Sequence, residues 1–154
     1  MTKRYVWAAI FCALTVAWLA FIWGNSMTTG VESGEMSGSV TDWINDVLQK
    51  IHPSFRVGHT FVRKSAHFFE FALLGTLFAA TIHTLFWRKK DYFVFLAIGS
   101  SFLSALTDEL IQMFTDGRVA SLVDVTIDTL GASVAVLIFF AVLTIKKAGN
   151  KKIR

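Results

Sequence analysis

The chain has 154 residues, of which 54% are hydrophobic and only 17% are charged, and its mean hydropathy is +0.55. A soluble domain has roughly 25% charged residues, and a chain this short has too little interior to hide so much apolar surface from water. The net charge of +4 does not indicate nucleic-acid binding, because the basic residues form short clusters at the ends of apolar runs rather than one basic face. A soluble enzyme and a nucleic-acid binder are therefore both excluded, and we expect one membrane domain over residues 1–154.

The first apolar run covers residues 5–24 and contains no charged residue. Its length matches the roughly 20 residues that a helix needs to cross a bilayer. The apolar region of a cleaved signal peptide is only about 7–15 residues long. The run therefore predicts a retained transmembrane helix.

Residues 25–62 change in composition to Gly, Ser, Thr and Pro, which indicates an exposed connection. Within it, apolar residues recur at helical spacing with polar residues between them: Val40, Trp43, Ile44, Val47, Leu48 and Ile51. This pattern predicts a short amphipathic helix that lies on the membrane surface or caps the bundle. A lid or a partner-docking element is the alternative interpretation.

Three further apolar runs, at residues 65–87, 92–114 and 122–145, complete the pattern of an all-α, polytopic membrane four-helix bundle. If the chain crosses four times, its basic clusters fall on one side: Lys3 and Arg4, Arg88 to Lys90, and Lys146, Lys147, Lys151, Lys152 and Arg154. The positive-inside rule places that side in the cytoplasm. Both termini are then cytoplasmic, and the connections at 25–62 and 115–121 face outward.

This topology brings polar residues from three helices to one depth. His67 and Glu70 lie in the first turns of the second helix, and Asp124 and Asp128 lie in the first turns of the fourth. The last turns of the third helix supply further polar residues, so all of these lie within about 10 Å of the outer interface. The candidate ligand-binding residues are Arg63, Lys64, His67, Glu70, Asp108, Glu109, Gln112, Arg118, Asp124 and Asp128.

Ionised side chains are costly in a membrane and commonly mark a site for a cation, a proton or a polar headgroup. A purely structural network is the alternative, in which Asp124 caps a helix and Arg118 pairs with Asp116 or Asp124. A bound metal is also open, because His67 and Glu70 at i and i+3 resemble half of a bundle metal site. Its carboxylate-rich ligands would suit Mg²⁺ or Mn²⁺, and they would be His67, Glu70, Asp108, Glu109 and Asp128.

The charged segments resemble those of the VanZ-like family of bacterial membrane proteins. The similarity covers about residues 25–135, and it is carried by residues 63–71, Thr107-Asp108-Glu109 with Gln112, Gly117-Arg118, Asp124 and Asp128-Thr129-Leu130-Gly131. The resemblance implies a small helical protein of the bacterial cytoplasmic membrane. The founding member of the family is associated with resistance to teicoplanin, so an effect on glycopeptide susceptibility is expected.

The leading hypothesis is an outer-leaflet pocket that binds a lipid headgroup or another phosphorylated envelope ligand. Arg63, Lys64 and Arg118 would contact its anionic oxygens, while the acids position them or hold a bridging cation. The alternatives are an intramembrane metal-assisted enzyme with Glu70 or Glu109 as base, a small proton-coupled carrier and a structural assembly partner. We expect no organic cofactor, with a divalent cation left open. The expected partner is a membrane lipid or a lipid-linked precursor, and a homodimer stays open.

Overall fold

The protein is a helical bundle in a computed structural model that describes residues 2–86 and 92–152. Its helices are α1 (Thr2–Ser26), α2 (Gly30–Ile51), α3 (His59–Leu85), α4 (Phe93–Met113) and α5 (Leu122–Lys152). All of these except α2 are long and apolar enough to cross a membrane. The predicted all-α, multi-pass fold is confirmed. Trp87, the cluster Arg88 to Lys90 and Arg154 lie outside the described residues.

The amphipathic helix α2 is longer than predicted, because it begins at Gly30 and takes in the glycine- and serine-rich part of the connection. Its start is fixed by a capping box, in which the Thr29 hydroxyl accepts a hydrogen bond from the Glu32 N–H, while the Glu32 carboxylate accepts from the Thr29 N–H. The face that α2 turns toward α3 is small and half-buried, and it includes Gly34 and Ser37. The Gly34 carbonyl lies 3.3 Å from the Nε2 atom of His59 on α3, but a Cβ atom at Gly34 would meet nothing within 4 Å, so close packing does not require glycine here.

The most extensive packing in the bundle is between α3 and α5, and α3 also contacts α1 and α4. A Cβ atom added to Gly75 on α3 would lie 2.7 Å from the carbonyl oxygen of Ala132 on α5. Gly131 on α5 likewise lies directly against the backbone of Phe68. Close backbone approach at small residues is the usual way in which transmembrane helices associate. It holds α3 and α5 side by side at the level of Phe68 and Gly131.

The two ends of the bundle differ in character. We call the polar end the one where α1 and α4 finish and α3 and α5 begin. At this end the Gly30 N–H donates to the Asp116 carbonyl at 2.9 Å, which ties α2 to the α4–α5 connection. That connection turns at Gly117, whose φ of 72° favours glycine. At the opposite end Arg4 donates to the carbonyls of Thr84 and Leu85 at 2.6 and 2.7 Å.

Candidate functional site

Three ionisable side chains from three helices meet inside the polar end. His67 of α3, Asp108 of α4 and Asp128 of α5 each place a nitrogen or oxygen atom within 4.8 Å of the others. Both aspartates are fully buried, with 0% of their surface exposed. We call these residues the His-Asp-Asp cluster. The structure thus places three of the predicted site residues, one from each of these helices, close together.

Asp108 is held by hydrogen bonds from two sides. The Ser26 hydroxyl donates to its Oδ1 at 2.6 Å, and the Gln112 amide donates to its Oδ2 at 2.8 Å. The same Gln112 amide also donates to the Ser26 hydroxyl at 3.3 Å, which closes a small network across α1 and α4. Sequence reasoning missed Ser26. Its signal was a hydroxyl just after the first apolar run, at the same end of the bundle as the acids.

Asp128 and His67 have no such partners. Both carboxylate oxygens of Asp128 and the Nδ1 atom of His67 are buried and make no hydrogen bond with the described residues. The His67 Nδ1 atom lies 3.7 Å from Asp128 Oδ1, beyond hydrogen-bond distance. Most buried polar atoms in proteins have a partner, so these three atoms call for an explanation.

A cavity of about 130 Å³ opens beside the cluster. The bundle side of its wall carries charged and polar groups, including Arg63, His67 and Glu70 along one stripe of α3. Arg118 contributes from the α4–α5 connection. The remaining lining residues come from α1, the α1–α2 connection, α2 and α3: Ile22, Asn25, Ser26, Thr28, Ser33, Met36, Ser37 and Ala66. Because His67 belongs to both, the cavity and the His-Asp-Asp cluster form one continuous site.

Arg118 is anchored by groups other than acids. It donates to the Ser33 hydroxyl at 3.0 Å and to the Asn25 carbonyl at 3.2 Å, so it does not make the hydrogen-bonded pair with Asp116 or Asp124 that was considered from sequence. Its Nε atom is buried without a partner. Burial lowers the pKa of the Arg118 guanidinium, and the nearby charge of Arg63 lowers it further. An arginine stays protonated under such shifts, so the cavity wall holds a partly desolvated positive charge.

The other predicted site residues lie around the edge of this arrangement. Lys64 pairs with Asp124 at 2.9 Å, and its side chain is 37% exposed on a different side of α3 from the cavity. One oxygen of Glu109 accepts a hydrogen bond from the Ser121 N–H, while its other oxygen is buried without a partner. The ten candidates thus separate into a core around the cavity and a flank formed by Lys64, Asp124 and Glu109.

These features define a multi-pass helical membrane protein with a buried polar site at one end of its bundle. The VanZ/LLP1 family model matches residues 11–144, and the chain therefore belongs to the VanZ/LLP1 family. The resemblance inferred from the charged segments is confirmed. No curated protein and no solved structure matches the chain.

Proposed function

We propose that this protein binds the anionic headgroup of a phosphorylated envelope lipid in the polar cavity, at the external face of the bacterial cytoplasmic membrane. The main support is the convergence of Arg63 and Arg118 on one cavity at the polar end of the bundle. The guanidinium groups of Arg63 and Arg118 repel each other, and a phosphate between them relieves this repulsion once the nearby carboxylates are neutralised by protons or by a bound cation. Arginine also matches the geometry of a phosphate with parallel N–H donors.

The hydrogen bonds of Arg118 leave donors available for such a ligand. A guanidinium has five N–H donors, and Arg118 donates from Nη1 to Ser33 and from Nη2 to Asn25. The second N–H of each of these two nitrogens makes no hydrogen bond with the described residues, and the Nε–H is buried without a partner. The contacts to Ser33 and Asn25 hold the side chain in place before a ligand arrives. A pre-positioned arginine loses less conformational entropy on binding, which favours affinity.

The size of the cavity restricts the ligand. Its volume of about 130 Å³ is well below the roughly 300–1,000 Å³ of pockets that enclose drug-sized molecules. A phosphate group fits this space, whereas a whole glycopeptide antibiotic does not. An effect on teicoplanin susceptibility, which family membership suggests, would then act through the lipid rather than through capture of the drug.

Native mass spectrometry of the purified protein tests this proposal. The protein is mixed with phosphatidylglycerol, with a polyprenyl phosphate or with zwitterionic phosphatidylcholine, and the bound fraction is counted. We expect the anionic lipids to bind and Arg118→Gln to weaken that binding at least about tenfold, since hydrogen bonds to charged groups contribute about 1.5–3 kcal/mol each.

Lys64→Gln is the matched control, because it also removes one positive charge from the polar end but not from the cavity wall. It should retain the lipid binding of the wild type. Equal loss in both variants would mean that only net charge matters, and unchanged binding in Arg118→Gln would refute the cavity as the binding place.

A further inference from the structure

We propose that His67, Asp108 and Asp128 bind one divalent cation, of the kind that accepts both nitrogen and oxygen ligands. The three residues supply one imidazole and two carboxylates from three different helices. Mixed ligands of this type suit first-row ions such as Mn²⁺ and Zn²⁺ better than Mg²⁺, which prefers oxygen alone. The inference goes beyond headgroup binding and does not depend on it.

The unsatisfied atoms of Asp128 are the observation that distinguishes this cluster from an ordinary group of acids. The residue is fully buried, and neither carboxylate oxygen has a hydrogen-bond partner among the described residues. A buried carboxylate without any partner is strongly unfavourable. His67 directs an equally unpartnered Nδ1 toward the same carboxylate. An ion between them would satisfy all three atoms at once.

The distances agree with a shared ion rather than with a direct contact. Two ligand atoms that each lie about 2.1 Å from one ion are separated by roughly 3.0–4.2 Å, depending on the angle between them. The 3.7 Å between His67 Nδ1 and Asp128 Oδ1 falls within this range, although it is too long for a hydrogen bond. An oxygen of Asp108 lies within 4.8 Å of the other two ligand atoms, so its side chain would have to move inward slightly to bind the same ion.

The neighbours of Asp108 also hold its carboxylate in a fixed orientation, as is usual for a side chain that binds a metal ion. Ser26 and Gln112 each occupy one of its oxygens from the side of α1 and α4. Each carboxylate oxygen can accept more than one contact, so both remain able to bind an ion. Hydrogen bonds from residues that do not themselves bind the ion fix the direction of metal-binding side chains in this way.

The charges around the cavity favour the binding of a divalent cation. Four buried or half-buried carboxylates lie in or beside the site in the described part of the chain: Glu70, Asp108, Glu109 and Asp128. Arg63 and Arg118 supply two positive charges there, while Lys64 and Asp124 balance each other. With the carboxylates ionised and His67 neutral, four negative charges against two positive ones leave two uncompensated. One divalent ion removes that imbalance, and two bound protons are the competing explanation.

Titration with Mn²⁺, followed by electron paramagnetic resonance on the chelator-treated protein in detergent without added lipid, tests the inference. We expect one Mn²⁺ per chain. Asp128→Asn and His67→Gln should each weaken binding at least tenfold. Asp124→Asn, which removes an acid of the same end from outside the cluster, should bind as the wild type does.

The wild-type measurement alone can overturn the inference, since absence of bound Mn²⁺ would leave protons as the balancing charge. Retention of wild-type affinity in Asp128→Asn would also overturn it. Arg118→Gln separates the two proposals, because loss of a nearby positive charge should leave Mn²⁺ binding equal or tighter while anionic lipid binding falls. The metal-free thermal unfolding of each variant shows that it is folded.

Discussion

At the polar end, two aspartates are equally buried but differ in whether they accept hydrogen bonds. Asp108 accepts from Ser26 and Gln112, whereas Asp128 accepts from none of the described residues. Charge inside a membrane protein is tolerated when neighbouring groups compensate it. Hydrogen bonds within the protein therefore stabilise Asp108, whereas Asp128 would depend, on our proposal, on a bound ion or a proton.

Removal of the Ser26 hydroxyl tests how far the protein compensates Asp108. We expect Ser26→Ala to lower the free energy of unfolding by about 1–3 kcal/mol, because a fully buried carboxylate loses a charge-assisted hydrogen bond. Thermal unfolding in detergent measures the change. Ser39→Ala is the control, since that exposed hydroxyl donates only to the Glu35 carbonyl within α2. Equal stability of the two variants would contradict the role given to Ser26.

The sequence predicted the depth of the site residues but not the direction of every side chain. Arg63 and Lys64 were both assigned to anion binding, yet neighbours on a helix point about 100° apart. Arg63 consequently lines the cavity, whereas Lys64 reaches Asp124 on another side of α3. Depth follows from counting residues along a helix. Direction depends on how α3 is rotated in the bundle, which packing decides.

At the scale of elements, the four membrane spans were predictable because an apolar run of about 20 residues is a strong signal. The residues at which these helices begin and end were less predictable. α3 begins at His59 rather than 65, and α5 extends to Lys152 rather than 145. The apolar run marks only the part of a helix that lies in hydrocarbon, while helical hydrogen bonding continues into polar surroundings. α2 was underestimated for a different reason: its glycine- and serine-rich first half indicated a loop, but the capping box of Thr29 and Glu32 starts a helix there.

The close contact between α3 and α5 can be tested by adding a methyl group at Gly131. A Cβ atom at Gly131 would overlap the backbone carbonyl of Phe68, so Gly131→Ala must push the two helices apart. Overpacking of this kind costs about 1–3 kcal/mol, and thermal unfolding should show the loss. Because this contact lies next to Asp128 and His67, we also expect weaker Mn²⁺ binding.

Gly99→Ala is the control for that substitution. Gly99 lies within α4, and a Cβ atom there would meet nothing within 4 Å. Its replacement should leave stability unchanged or raise it by up to about 1 kcal/mol, since alanine favours a helix over glycine. If both variants unfolded at the temperature of the wild type, the close approach of α3 and α5 at Gly131 would be contradicted.

At the scale of the whole molecule, the position of α2 agrees with a site at the membrane surface. Five apolar side chains on one stripe of α2 are exposed: Met36, Val40, Trp43, Val47 and Ile51. A helix with such a stripe beside acidic residues is suited to the boundary between headgroups and acyl chains. α2 also supplies part of the cavity wall. The cavity would then lie at the depth of the lipid headgroups.

The orientation of the protein decides which leaflet supplies those headgroups. Lys3, Arg4 and Lys146 lie at the end of the bundle opposite the cavity, and basic segments of this kind are retained in the cytoplasm. We therefore expect the polar end to face outward. Single-cysteine labelling can test this directly, because Cys12 is the one native cysteine of the chain and Cys12→Ser removes it.

Two exposed positions at opposite ends serve as reporters in that background, Ser39→Cys on α2 and Ala148→Cys near the end of α5. A membrane-impermeant maleimide applied to intact cells should label the first and not the second, and permeabilisation should expose the second. The reverse pattern would turn Arg118 and its cavity toward the cytoplasm. An external lipid headgroup could then no longer be the ligand, although a cation between His67 and Asp128 could still bind, because the His-Asp-Asp cluster depends on helix packing and not on the direction of insertion.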